Sequence, residues 1–274
     1  MEPQQPVFTI EPPGAPPPPR RRSGGAGGLV GGVVALLVLF SKFGWTFLSM
    51  FFMIFVYAQI FGWKLAAGVV VLIFVHEMGH VIAAKALGMP VTAPLFIPFV
   101  GAAIVMKQNP RDAISEAIMA YAGPLAGCVG SWVCLWIAQQ TNLQWLTVTA
   151  AFSFGLNLFN LIPVPPLDGG RVCAAVSRWF WLLGLLLLGG AVVYFHAWSM
   201  LFIAVLILFM AYQRIRDDLR YRDMMGQYYQ ISLPMRALVA AFYLGLIGVL
   251  LVGLAEANSA MPQVGANGQV ETNY

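Results

Sequence analysis

The stretch Phe74–His80 reads FVHEMGH and places two imidazoles and a carboxylate within five residues. On a helix, His76 and His80 are four apart and project from one face, with about 6 Å of rise between them. Two ring nitrogens so placed can share one divalent ion, and HExxH is a zinc-binding pattern. Glu77 can reach a water on the open side of such an ion and serve as a general base. The plain alternative is a pair of satisfied core histidines. Against it, LAAGVVVLI precedes the motif and VIAA follows it. Three ionisable groups inside so apolar a helix are costly unless they hold something.

The elements that must position these residues are apolar helices. The chain has 274 residues, 59% hydrophobic and 9% charged, with a mean hydropathy of +0.77. Soluble domains carry about a quarter charged residues, so the composition indicates an all-α polytopic membrane protein embedded in a lipid bilayer. Apolar runs predict about seven transmembrane helices, near 46–61, 65–87, 112–139, 145–162, 179–194, 198–214 and 234–255. A shorter segment, 29–43, reads as interfacial, and whether it spans is left open. The net charge of +4 reflects arginines and lysines between the runs and gives no support for nucleic-acid binding. Cys128, Cys134 and Cys173 show no metal or disulfide spacing.

Basic residues set an orientation. Arginines and lysines cluster before the first span and in alternate connections, with Lys64 the exception, whereas QQTNLQ (139–144) and FHAW (195–198) carry none. This alternation predicts an inside N-terminus and an outside C-terminus. A catalytic zinc takes a third protein ligand. The remaining histidine, His196, falls on the predicted opposite side. Asp168 is the better candidate: it follows a helix that opens to the inside, and the 65–87 helix carries its histidines in its inner half. Pro163, Pro165 and Pro166 stop the preceding helix, and Gly169–Gly170 read as a turn that swings Asp168 back. The competing reading makes Asp168 the cap of the next helix.

Between the second and third spans lies PVTAPLFIPFVGAAIVMKQNP (90–110). Its prolines and Gly101 exclude a continuous helix, yet it is apolar. Irregular backbone at membrane depth needs protein or water around it, which predicts a re-entrant hairpin; a loop resting on headgroups is the alternative. Asn109 and Pro110 read as the N-cap and first residue of the next helix.

The combination of HEMGH, Gly123-Pro124-Leu125-Ala126-Gly127, and Asn160-Leu161-Ile162-Pro163 running into Leu167-Asp168-Gly169-Gly170 resembles the site-2 protease family of intramembrane zinc metalloproteases. The resemblance covers roughly 65–171. It implies a three-helix catalytic core with a re-entrant hairpin and one Zn²⁺ ion per chain, held by His76, His80 and Asp168. It further implies Glu77 as catalytic base, Asn160 close to the metal, and a membrane-spanning protein substrate cut by intramembrane proteolysis. It suits a bacterial cell (inner) membrane with the active site toward the cytoplasmic half. PDZ and CBS domains, carried by many members, have no room here.

The expected organisation is a Pro/Gly-rich tail (1–28), an interfacial segment and first span (29–63), the metalloprotease core (64–171), additional spans (172–256) and a polar tail (257–274). A non-proteolytic zinc-binding membrane protein, a partner-helix scaffold and a metal transporter are the competing functions. Self-association is left open. Gly123 and Gly127 read as a small-residue packing face, and Asn157 either supports Asn160 or bonds to a neighbouring helix.

Overall fold

A computed structural model of the protein describes residues 26–104, 110–194, 201–220, 226–261, 263–264 and 270–271. The N-terminal tail, Lys107, Asn109 and His196 lie outside the described residues. The chain divides into two compact units, 1–42 and 43–274; the site belongs wholly to the second. Helix α1 runs Ala26–Phe61 without interruption, where the hydropathy pattern separates 29–43 from 46–61. Ser41 and Lys42, between the two apolar runs, sit inside the helix, since neither residue type breaks one.

The remaining helices are α2 (Trp63–Ala86), α3 (Ala113–Thr141), α4 (Gln144–Asn160), α5 (Asp168–Val176), α6 (Phe180–Tyr194), α7 (Leu201–Arg220) and α8 (Leu233–Ser259). Four described segments are long and apolar enough to cross a membrane: Gly44–Phe61, Trp63–Ala86, Ala113–Thr141 and Leu233–Ser259. With so much apolar surface facing outward, from Trp45 to Val252, the chain is an all-α multi-pass membrane protein.

Helices α2, α3 and α4 pack on one another and form the centre, and α5 and α8 lean against them. Phe154, fully buried, anchors the α3–α4–α8 core with Leu135, Leu161 and Leu250. Helix α2 ends in a Schellman motif: Met89 N–H donates to Ala84 O (2.8 Å) and Gly88 N–H to Lys85 O (3.0 Å). The left-handed φ of 71° at Gly88 permits it. At the start of α3 the cap is Asp112, whose carboxylate accepts from Ser115 N–H at 2.7 Å. Pro110 therefore precedes the helix instead of opening it, because the acceptor that satisfies the first turn comes two residues later.

The segment after α2 folds back as a hairpin, with β1 (Leu95–Ile97) antiparallel to β2 (Gly101–Ala103) in the register Leu95↔Ala103. Pro98 and Phe99 form its apex, closed by Val100 N–H to Ile97 O at 3.2 Å. Phe99 has φ 64°, the sign a type II turn demands at its third residue. Helix α1 holds the hairpin through Ser49 Oγ, which accepts from Phe96 N–H, and Tyr57 Oη, which accepts from Phe99 N–H, each at 3.1 Å. Phe96 is buried among Met53, Val69, Val70 and Ile73.

Candidate metal centre and catalytic cavity

His76 and His80 lie on α2 and face α3 and α4. His76 Nδ1 is 2.8 Å from Asn157 Oδ1, and His80 Nδ1 is 2.8 Å from the Met119 carbonyl. Both partners can only accept, because Asn157 Nδ2–H is committed to Ser153 O at 2.8 Å. Each imidazole therefore donates from Nδ1, and in the neutral ring this leaves the inward Nε2 free to ligate.

The two Nε2 atoms are 3.1 Å apart. Asp168 Oδ2 is 3.1 Å from that of His76 and 3.3 Å from that of His80. Three potential ligand atoms thus face one another, buried, at separations that a shared proton or a metal ion can hold. Donors held about 2.1 Å from one tetrahedral ion stand ~3.4 Å apart, close to these separations. Among the described residues His76, His80 and Asp168 are the group whose ligand atoms could jointly hold a metal ion. The residues present fit a small divalent cation.

Asp168 reaches this point because the chain turns tightly between α4 and α5. It is the first residue of α5, whose N-cap is Leu167 and makes no side-chain cap bond. The carboxylate is directed to the histidines, which rules out the capping reading. Gly169 and Gly170 are helical, and their lack of a side chain serves close approach instead of a turn. A Cβ on Gly169 would lie 2.2 Å from Leu161 O, and one on Gly170 2.4 Å from Pro165 N. Tyr243 Oη donates to Leu161 O, and Trp181 Nε1–H donates to Gly170 O at 2.8 Å, so both ends of the turn are pinned.

The pair Gly123 and Gly127 has a role beyond helix packing. A Cβ at Gly123 would fall 2.2 Å from His80 Cε1 and Nε2, and one at Gly127 would fall 2.2 Å from Asn157 Oδ1. The two glycines leave the space in which a ligand ring and its neighbour's orienting amide sit. Asn157, fully buried, is the residue that sequence reasoning left undecided. The available signal was its position one turn before Asn160 on the same helical face.

A cavity of about 620 Å³ opens on this cluster. Glu77 and Asn160 line it beside the three metal-ligand candidates, and Phe99, Val100 and Ala102 of the hairpin form another wall. Glu77 is buried and Asn160 half-buried. Outside this cavity, Glu116 is buried on α3 and paired with Arg214 of α7, at 3.1 and 3.3 Å to its two oxygens. Tyr228 Oη donates to Glu116 Oε2 at 2.7 Å. Burial and the adjacent carboxylate push the Tyr228 hydroxyl well above its ordinary pKa, so it remains a donor.

The fold and the site together define a polytopic membrane protein with a buried two-histidine, one-aspartate donor set. Two overlapping stretches, 64–144 and 137–182, match the model of Peptidase family M50. A zinc metalloprotease of Methanocaldococcus jannaschii is 33% identical over 110 residues, covering 38% of this chain and 31% of that protein. The match thus spans about a third of that relative's length. The stretches that match Peptidase family M50 carry His76, Glu77, His80, Asn160 and Asp168.

Proposed function

We propose that the protein is an intramembrane zinc metalloendopeptidase that hydrolyses peptide bonds in or near transmembrane segments of membrane-anchored substrates. The observation that carries this reading is the convergence of the two histidine Nε2 atoms and Asp168 Oδ2 within 3.3 Å, beside a cavity lined by Glu77. His76, His80 and Asp168 would hold one Zn²⁺ per chain. Zinc supplies a Lewis acid and a nucleophile at neutral pH, where bulk water is scarce. Glu77 takes the proton from the attacking water and delivers it to the leaving amine. Asn160 donates a hydrogen bond to the carbonyl oxygen as negative charge develops there. Asn157 and the Met119 carbonyl keep the two rings in the ligating tautomer.

A substrate helix hides its scissile carbonyl in its own ladder and must open first. The hairpin offers an extended apolar edge beside the cavity, suited to holding the opened strand by β-addition. Cleavage of this kind belongs to regulated intramembrane proteolysis. The charge pattern favours a site in the cytoplasmic half of the membrane.

The test is purified full-length chain with zinc and a membrane-segment peptide in detergent. Cleavage that stops with a chelator and is absent in Glu77→Gln, with zinc content unchanged in that variant, is the expected outcome. Full activity of Glu77→Gln removes Glu77 as the base, and absence of any cleavage by the wild-type chain favours a non-proteolytic zinc protein.

A further inference from the structure

Arg171 stands one turn after Asp168 on α5, on the same helical face. It is half-buried and lines the catalytic cavity together with Glu77 and Asp168. It also lines a second cavity of about 250 Å³, whose walls include Glu116, Arg214 and Asp217. Pro166, Arg171 and Met210 border both spaces. Of the carboxylates that line the two cavities, Glu77 makes no ion pair within 4.0 Å among the described residues, and the other three have partners elsewhere. Asp168 faces the histidines, Glu116 pairs with Arg214, and Asp217 pairs with Arg216. Among the described residues Arg171 has no ion-pair partner within 4.0 Å. The half-buried guanidinium on the wall between the two cavities is therefore available to an anionic ligand.

We propose that Arg171 binds the carboxylate that peptide hydrolysis creates. The inference rests on the proteolytic reading above. In the reaction the water oxygen bonds to the carbonyl carbon and the C–N bond breaks. One water proton passes to the leaving nitrogen and the second, lost from the new acid, ends on the same amine, so that an ammonium and a chain end with one negative charge result. That charge arises beside Glu77 and Asp168, two other anions, in surroundings of low dielectric. A guanidinium can take both carboxylate oxygens in a fork. Its place on the wall shared by the two cavities leads the product from the apolar site toward the polar one.

The experiment uses the full chain in detergent, loaded with zinc, and fluorescence polarisation with short apolar peptides labelled at the N-terminus. One ends in a free carboxylate and one in a carboxamide, and a third has an internal glutamate and a carboxamide end. In the wild-type chain the free carboxylate is expected to bind about tenfold more tightly than the carboxamide. In Arg171→Gln that ratio falls at least fivefold, and Arg171→Lys retains part of it, with zinc content unchanged in both. An equal ratio in wild type and Arg171→Gln overturns the proposal, as does loss of zinc in both variants. A preference that follows the internal glutamate also overturns it, since the ligand would then be a substrate side chain. Cleavage is read separately. A chain that cleaves without an Arg171-dependent ratio sinks only this inference, whereas a chain that binds and never cleaves sinks the proteolytic reading.

Discussion

Asn157 Oδ1 lies 2.8 Å from His76 Nδ1, and this contact from α4 to α2 decides which nitrogen of the first histidine faces the site. The amide is itself held by Ser153 O, so it cannot rotate to offer its N–H instead. Orienting partners of this kind typically contribute 10–100-fold in metal affinity. Asn157→Leu should therefore lower zinc affinity by about that factor, measured by competition with a chromophoric chelator. Asn157→Asp keeps an acceptor at the same place and should retain most of the affinity.

The space left by Gly123 is equally specific. A methyl there collides with the His80 ring at 2.2 Å, whereas one at Gly155 meets nothing within 4 Å. Gly123→Ala should lose most bound zinc while remaining in the membrane and monodisperse in detergent. Gly155→Ala should leave zinc content at the wild-type level. Metal analysis of the two purified variants side by side checks both outcomes.

The Glu116–Arg214 pair joins the central α3 to α7, a wall of the cavity. Removing the guanidinium leaves a buried carboxylate with Tyr228 as its remaining partner. Arg214→Ala should cost about 1–3 kcal/mol of stability, seen as a lowered thermal midpoint in detergent. Glu116→Gln with Arg214→Met replaces the charged pair together and should recover part of the loss. A double variant no better than Arg214→Ala would assign the loss to packing.

Much of the site was legible in the chain itself. Spacing alone puts His76 and His80 on one helical face, and the alternation of arginines puts Asp168 on the same side of the bundle; the structure brings all three within 3.3 Å. The prolines of 90–110 exclude a helix, and a hairpin stands at 95–103. What escaped were pairwise contacts between helices. Nothing in α4 alone says that Asn157 meets His76, and nothing in GPLAG says that its glycines clear a ring and an amide. The cap at Asp112 was missed because Asn109-Pro110 carries the stronger local signal, and local signals yield to where the first turn's N–H groups find an acceptor. Continuity of α1 through Lys42 was missed because hydropathy reports solvent preference, not backbone geometry.

That His76, His80 and Asp168 share a single ion is open to zinc-edge X-ray absorption on the purified, zinc-loaded chain. Two imidazole nitrogens and a carboxylate oxygen at about 2.0–2.2 Å are expected, with the signal lost or altered in Asp168→Ala. An unchanged spectrum and an unchanged zinc content in that variant would place the metal elsewhere.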